Sequence, residues 1–174
     1  MSLADSSATF RIRGATETDV ALLFSLIVEL AEYERAPEQV TGSPELLRVS
    51  LFGDKPAAEA VIAEVIGEQI PEPVGFALYH GTFSTWESRP GLWLEDLFVR
   101  PAHRRGGVGV ALIRHVAQIA LERGCSRLNW AALDWNAPAL SFYEKLGAET
   151  MEEWKLLRLS GDALRCFAEG PSLR

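Results

Sequence analysis

Cysteine and histidine are scarce in this chain, and those present are scattered. The 174 residues include two cysteines, Cys125 and Cys166, and three histidines, His80, His103 and His115. This excludes the dense cysteine framework of a small disulfide-stabilised domain, and neither residue type shows the spacing of a metal site or a catalytic triad. We therefore expect no bound metal, and we expect the histidines to serve as surface or packing residues.

Long apolar runs are absent as well. No uninterrupted apolar stretch approaches the roughly 20 residues that a membrane-spanning helix needs. The first residues show no basic segment followed by an apolar core, which is the pattern of a secretory signal. We therefore expect a cytoplasmic protein without a membrane partner.

Positive charge is in deficit. With 17 lysines and arginines against 24 aspartates and glutamates, the formal net charge is −7. Nucleic-acid binding needs clustered positive charge, so no nucleic-acid partner is expected. A negative field raises the local concentration of cations and so favours a cationic substrate. Acidity that serves solubility alone is the competing explanation.

The remaining composition is that of a soluble globular protein, with 48% hydrophobic and 24% charged residues. This length suits one domain, so residues 1–174 are predicted to form a single domain. Apolar periodicity predicts strands at 10–13, 60–66, 74–79, 92–99, 127–133 and 153–159, with turns at 67–73 and 88–91. Thr16-x-x-Asp19 resembles a capping box before a helix predicted over 20–33, and Ser43-Pro44-Glu45 opens a second helix that ends at Gly53. Further helices are predicted from 108 to the glycine at 124, from the cap at Asn136 to the glycine at 147, and over 161–168. An antiparallel front half followed by β-α-β-α predicts a mixed α/β sheet.

The most informative segment is a glycine turn between a strand and an amphipathic helix. It reads Arg104-Arg105-Gly106-Gly107-Val108-Gly109. A turn that opens a helix presents unpaired backbone N–H groups at the positive end of the helix dipole, which suits a phosphorylated ligand. The two arginines add positive charge at its mouth.

Several kinds of protein use such a turn. A Walker loop requires Gly-Lys-Ser/Thr at its end, and neither lysine nor a hydroxyl follows Gly107. A dinucleotide fingerprint requires a third glycine, and the chain continues from Gly109 to Leu112 without one. These residues alone also fit a tight turn with a purely structural role.

The spacing Arg104-x-x-Gly107-x-Gly109 resembles the signature of the GNAT superfamily of acyl-CoA N-acyltransferases. The resemblance spans roughly residues 10 to 160, and within the superfamily it is greatest to the spermidine/spermine and thialysine N-acetyltransferases. The segments that carry it are Glu29-Leu30-Ala31-x-Tyr33-Glu34, Leu94-Glu95-Asp96-x-Phe98-Val99, Trp135-Asn136-x-Pro138 and Phe142-Tyr143-x-x-x-Gly147-Ala148.

This resemblance implies acetyl-CoA as cofactor, a splayed strand pair at the cofactor site and a homodimer that partly builds the acceptor cleft. The implied cofactor-binding residues are Leu97, Phe98, Val99, Arg104, Arg105, Gly106, Gly107, Val108, Gly109, Val110, Asn136, Ala137, Pro138 and Ala139. The implied residues of the amine site are Tyr33, Glu34, Glu95, Asn129, Trp130 and Ala131.

The resemblance also implies catalytic roles for Tyr143 and Glu95. An alkyl amine with a pKa near 10.4 is mostly protonated at neutral pH, so a carboxylate such as Glu95 or an ordered water must take its proton. A tyrosine, with a pKa of about 10, can protonate the departing thiolate, although Tyr143 also fits an apolar helix face. Because Glu95 and Asp96 are adjacent on a strand, we expect them on opposite faces, with at most one in a given cleft.

Two departures from the polyamine enzymes fall on the amine side. Ser84 and Thr85 stand where those enzymes have an acidic residue before the tryptophan, and the segment 147–154 is shorter than in the animal enzymes. No cysteine lies beside the glycine turn, so we expect direct acetyl transfer in a ternary complex. A polyamine, a diamine or a thialysine-like amine is the expected acceptor. An aminoglycoside or protein amine, or a non-catalytic CoA-binding module, is the alternative.

Overall fold

The computed structural model describes residues 9–67 and 70–170. The chain divides into two compact units, Met1–Ala131 and Ala132–Arg174, and each is described by itself. The single domain expected over residues 1–174 stays a prediction. No helix among the described residues has the length and apolar character needed to cross a membrane.

The first unit contains one five-stranded sheet with its strands in sequence order. The strands are β1 (Phe10–Gly14), β2 (Glu59–Val65), β3 (Glu72–Ser84), β4 (Arg89–Val99) and β5 (Leu128–Trp130). Neighbouring strands are antiparallel up to β4, and β5 then pairs with β4 in parallel. The predicted mixed, mostly antiparallel sheet is therefore confirmed.

Hydrogen bonds at predicted capping residues lie just before α1 and at the start of α2. The helices are α1 (Val20–Tyr33), α2 (Pro44–Phe52) and α3 (Val108–Glu122) in the first unit, and α4 (Ala137–Lys145) and α5 (Gly161–Glu169) in the second. The backbone N–H of Thr16 donates to an Asp19 carboxylate oxygen at 2.8 Å just before α1. The Ser43 Oγ accepts from the N–H of Leu46 at 3.2 Å at the start of α2. These bonds satisfy donors that a helix leaves free in its first turn.

Apolar residues of α1, α2 and the sheet form the main core. Its buried members are Leu23, Leu26, Leu30, Leu51, Ala60, Ile62, Phe76, Leu78 and Phe98. Helix α3 buries the predicted apolar stripe, with Leu112 and Val116 fully inaccessible to solvent. Helices flanking the sheet thus hold β4 and the N-terminus of α3 in place, and the candidate site lies on these two elements.

Besides β3, which covers Glu72–Ser84 where a strand over 74–79 was predicted, three sequence-based boundaries were wrong. The turn predicted over 88–91 lies at 85–88, and Arg89, Pro90 and Gly91 begin β4 opposite Ser84, Phe83 and Thr82. A Cβ at Gly91 would lie 2.8 Å from the Thr82 Oγ1, so this glycine permits close strand approach and does not form a turn.

The other two errors concern strand length and strand pairing. Strand β5 covers three residues, where a strand over 127–133 was predicted. Residues 153–159 form no strand, and Leu157 is 87% exposed. Since no strand occurs among the described residues of the second unit, this segment has no ladder partner within its own unit.

Strands β3 and β4 approach closely at Gly75, which lies opposite Val99. A Cβ built on Gly75 would lie 2.5 Å from the Phe98 carbonyl oxygen and 3.2 Å from the Val99 Cα. Both obstacles are backbone, which cannot rotate away as a flexible side chain can. The position of the end of β4 therefore depends on the missing side chain of Gly75.

We expect Gly75→Ala to destabilise the protein by about 1–3 kcal/mol, because the new methyl group overpacks against β4. Urea unfolding measures this change. Gly81→Ala is the matched control, since Gly81 lies in the same strand and its Cβ would meet no atom within 4 Å. Equal unfolding free energies for the two variants would contradict the close approach.

Candidate functional site on β4 and the glycine turn

Strands β4 and β5 pair over a short distance and then separate. Their register covers Leu92–Leu94 and Leu128–Trp130, whereas β4 continues to pair with β3 as far as Val99. In the described sheet, the β5-facing edge of β4 from residue 95 to 99 therefore has no strand partner. This is the splayed strand pair implied by the resemblance, and Leu97, Phe98 and Val99 are the last residues of β4 along it.

The glycine turn follows β4 and leads into α3. Gly107 is the residue before the helix and has φ +85°, while Arg105 has φ +67°. The backbone N–H of Ala111 donates to the Gly107 carbonyl at 3.0 Å, so the amides of Val108, Gly109 and Val110 precede the first helical hydrogen bond. A Cβ at Gly107 would meet no atom within 4 Å, so open space lies beside these amides. The turn therefore fits an anionic group such as a diphosphate.

The two arginines of the turn have different surroundings. Arg105 is exposed, whereas Arg104 is partly buried. The Arg104 Nε donates to the Val99 carbonyl at 2.8 Å, and its guanidinium carbon lies 4.3 Å from the centre of the Tyr33 ring. The sequence pattern grouped both arginines with the cofactor and gave no sign that Arg104 reaches the end of α1.

A β-bulge lies at Glu95. Asp96 lies opposite Leu78, and Leu94 lies opposite Tyr79. Leu78 and Tyr79 are consecutive in β3, whereas Glu95 separates Leu94 from Asp96 in β4, so Glu95 is the extra residue of the bulge. The expectation that Glu95 and Asp96 lie on opposite faces assumed regular alternation, which the bulge interrupts, so that expectation stays a prediction. The Glu95 carboxylate is 55% exposed, and one of its oxygens lies 3.6 Å from the His80 Nε2. His80 therefore belongs to the surroundings of the candidate base, which its isolated position in the sequence did not indicate.

Asp96 is a second acidic group that the sequence reasoning did not select. Its pKa is raised to about 6, chiefly by burial and in smaller part by the charges of Glu95 and Glu34. Burial also raises the pKa of Glu34. Glu34, just after α1, and Glu95 on β4 thus both lie within electrostatic reach of Asp96, an arrangement that attracts a cation.

The predicted amine-site residues lie on both sides of β4. Tyr33 is the last residue of α1, and Glu34 follows it. Asn129 and Trp130 lie on β5 opposite Trp93 and Leu94, and Ala131 follows the strand. The structure thus brings Tyr33 and Glu34 close to β4 and places the β5 residues beside its paired part.

The second unit carries the other predicted residues on one helix. Asn136 caps α4, where its Oδ1 accepts from the N–H of Ala139 at 3.3 Å, and Ala137 and Pro138 lie in the first turn. The Tyr143 ring lies edge-on to Phe142 with centroids 5.1 Å apart. The predicted helix is confirmed, and the chemical roles of these residues stay predictions.

Known proteins resemble this chain over most of its length. Residues 26–148 match the family described as the acetyltransferase (GNAT) family. The thialysine N-epsilon-acetyltransferase of Bos taurus is 43% identical over 164 residues, covering 90% of this chain and 96% of that protein. The L-ornithine N5-acetyltransferase of Arabidopsis thaliana is 30% identical over 198 residues, covering 90% of this chain and 87% of that protein. A solved integron cassette protein of V. cholerae matches with a TM-score of 0.75 and 26% identity, covering 92% of this chain and 98% of the other.

The raised pKa of Asp96 predicts a pH-dependent stability change for Asp96→Asn. Because the folded pKa of about 6 exceeds the ordinary value of 3.8, ionising Asp96 costs folding free energy. The cost is absent below pH 4, grows as the pH rises through 6 and is complete above it. Asparagine removes the charge, so we expect a gain of up to about 3 kcal/mol at pH 8 and none at pH 4.

Urea unfolding at the two pH values measures this gain, with the exposed Asp54→Asn as the charge-matched control. An Asp96→Asn effect that is the same at pH 4 and pH 8 would show that the Asp96 pKa is not raised.

Proposed function

The chain belongs to the GNAT family of acetyltransferases and is an N-acetyltransferase, and on this premise we propose that it moves the acetyl group of acetyl-CoA to a primary amine of a small cationic substrate. The observation that carries the proposal is the 43% identity to the bovine thialysine enzyme over 90% of this chain. A lysine-like side-chain amine is the preferred acceptor, ahead of a diamine or polyamine. Ser84 and Thr85, which stand where the polyamine enzymes have an acidic residue, support that order.

The donor side of the proposal rests on main-chain groups. The open edge of β4 at Leu97–Val99 offers N–H and C=O groups to the pantetheine arm, and the backbone N–H groups of 105–110 donate hydrogen bonds to the diphosphate. Arg104 contributes main chain here, since its side chain contacts Val99 and Tyr33. The resemblance also assigns residues 136–139 to cofactor binding. When bound, acetyl-CoA supplies the activated acetyl group.

The acceptor side of the proposal rests on carboxylates. The substrate amine, with a pKa near 10.4, arrives protonated and must lose a proton before it can attack. Glu95 is the proposed proton acceptor, directly or through a water, because it lies at the bulge beside the open edge of β4. Asp96 and Glu34 add negative charge nearby, which favours binding of a cation.

Tyr143 is the proposed general acid. A tyrosine, with a pKa near 10, carries its proton at neutral pH, so Tyr143 can give that proton to the departing thiolate and then regain one from solvent. Transfer is proposed to be direct, in a ternary complex. The free cysteines Cys125 and Cys166 lie after α3 and on α5, so neither belongs to β4 or to the glycine turn. A cytoplasmic homodimer whose partner subunit helps to build the acceptor cleft is proposed on the resemblance alone.

A substrate panel followed by release of free CoA thiol tests the proposal. The panel holds thialysine, ornithine, a diamine, spermidine, an aminoglycoside and a peptide amine. We expect kcat/KM for thialysine or ornithine to exceed that for the aminoglycoside and the peptide by about tenfold or more, because those larger acceptors lack matching contacts. A preference for the aminoglycoside or the peptide contradicts the acceptor class. CoA binding without turnover on any amine indicates a non-catalytic module.

Removing the Tyr143 hydroxyl tests the acid. We expect Tyr143→Phe to lower kcat by about 10²–10⁴-fold, because general acid catalysis contributes that much, while the affinity for CoA is retained. Steady-state kinetics and calorimetric CoA titration measure the two quantities. Tyr79→Phe is the matched control, since it deletes the same hydroxyl from a buried residue of β3. Unchanged kcat in Tyr143→Phe would remove Tyr143 from the mechanism.

A further inference from the structure

Arg104 connects the glycine turn to the C-terminal end of α1. Its guanidinium carbon lies 4.3 Å above the Tyr33 ring centre and 5.8 Å from that of Phe98, and its Nε donates to the Val99 carbonyl at 2.8 Å. Stacking on an aromatic face suits a guanidinium, which is planar and weakly hydrated. The side chain therefore spans from the segment that enters the turn to the last residue of α1.

Both aromatic residues that contact the Arg104 guanidinium are held in place. Phe98 is 3% exposed and packs against Phe76 with ring centroids 6.4 Å apart, so one support of the guanidinium belongs to the core. The Tyr33 end is fixed by α1, whose last turn is closed by the bond from the Glu34 N–H to the Leu30 carbonyl at 2.9 Å. A movement of Arg104 would therefore be transmitted to Tyr33 and would not be absorbed by flexible parts of the chain.

Arg104 and Tyr33 also belong to different parts of the proposed site. Arg104 is covalently joined to the amides proposed to hold the diphosphate. Tyr33 is followed directly by Glu34, whose charge acts on Asp96. The single side chain of Arg104 thus links the donor-binding turn with the acidic group proposed to attract the amine.

We propose that Arg104 is a positioning residue that couples donor and acceptor binding, so that CoA held at the glycine turn raises the affinity for the amine through the Arg104–Tyr33 contact. This inference rests on the proposed function. Because coupling between sites is reciprocal, the amine raises the affinity for CoA by the same factor. The Arg104 side chain acts through Tyr33 and not as a ligand of the diphosphate.

Calorimetric titration tests the coupling without turnover. CoA is titrated into the protein with and without a saturating concentration of the best amine of the panel, and the ratio of the two dissociation constants is the coupling factor. We expect a factor of about five or more in the wild-type protein, within the range usual for coupled sites. We expect a factor near one in Arg104→Gln and in Tyr33→Leu, and the wild-type factor in Tyr33→Phe, which keeps the ring face.

Arg114→Gln is the control for loss of one positive charge, because Arg114 is exposed on α3 outside the site, and it should retain the wild-type factor. Thermal unfolding identifies any variant that fails to fold. Because Tyr33→Phe keeps the ring face, comparing it with Tyr33→Leu distinguishes loss of the ring face from loss of the fold. A coupling factor in Arg104→Gln or in Tyr33→Leu that equals that of the wild-type protein overturns the inference. A coupling factor of one in the wild-type protein overturns it as well. Absence of CoA binding by the wild-type protein would instead contradict the proposed function.

Discussion

The site depends on β4 keeping its pairing with β3 after β5 has separated from it. Gly75 makes this possible, because the absence of a side chain there lets the two backbones meet at Phe98 and Val99. Held on one edge only, the end of β4 offers its other edge to a ligand. The chain then turns immediately into α3, so a strand edge and a helix N-terminus lie within a few residues of each other. An extended ligand with an anionic group fits that combination, as the pantetheine diphosphate of CoA would.

Electrostatics divides the first unit into two regions. The amides at the N-terminus of α3 and the exposed Arg105 give the turn positive character. Glu34, Glu95 and Asp96 give the region near the ends of α1 and β4 negative character, and burial together with the charges of Glu95 and Glu34 raises the pKa of Asp96 to about 6. The proposed anionic donor and cationic acceptor would therefore be drawn to neighbouring parts of one sheet. Arg104 lies between these regions and contacts elements of both.

The elements that could be predicted from the sequence are those with a local cause. Helix caps such as Ser43 and Asn136, and the left-handed Gly107, depend on interactions within a few residues, and each lies where the pattern placed it. The bulge at Glu95 could not be predicted, because it depends on the register between β3 and β4. The Arg104–Tyr33 contact joins residues far apart in the sequence, and no local pattern indicates which of two arginines turns inward.

The most direct measurement is a backbone-amide NMR titration of the ¹⁵N-labelled protein with CoA. The account predicts that the largest shift changes fall on the amides of residues 105–110 and on those of Leu97–Val99, where the open edge of β4 lies. Amides of β1, at the far edge of the sheet, should change little. Saturable shifts that spare the turn and β4, or no shifts at all, would contradict the claim that the glycine turn holds the donor.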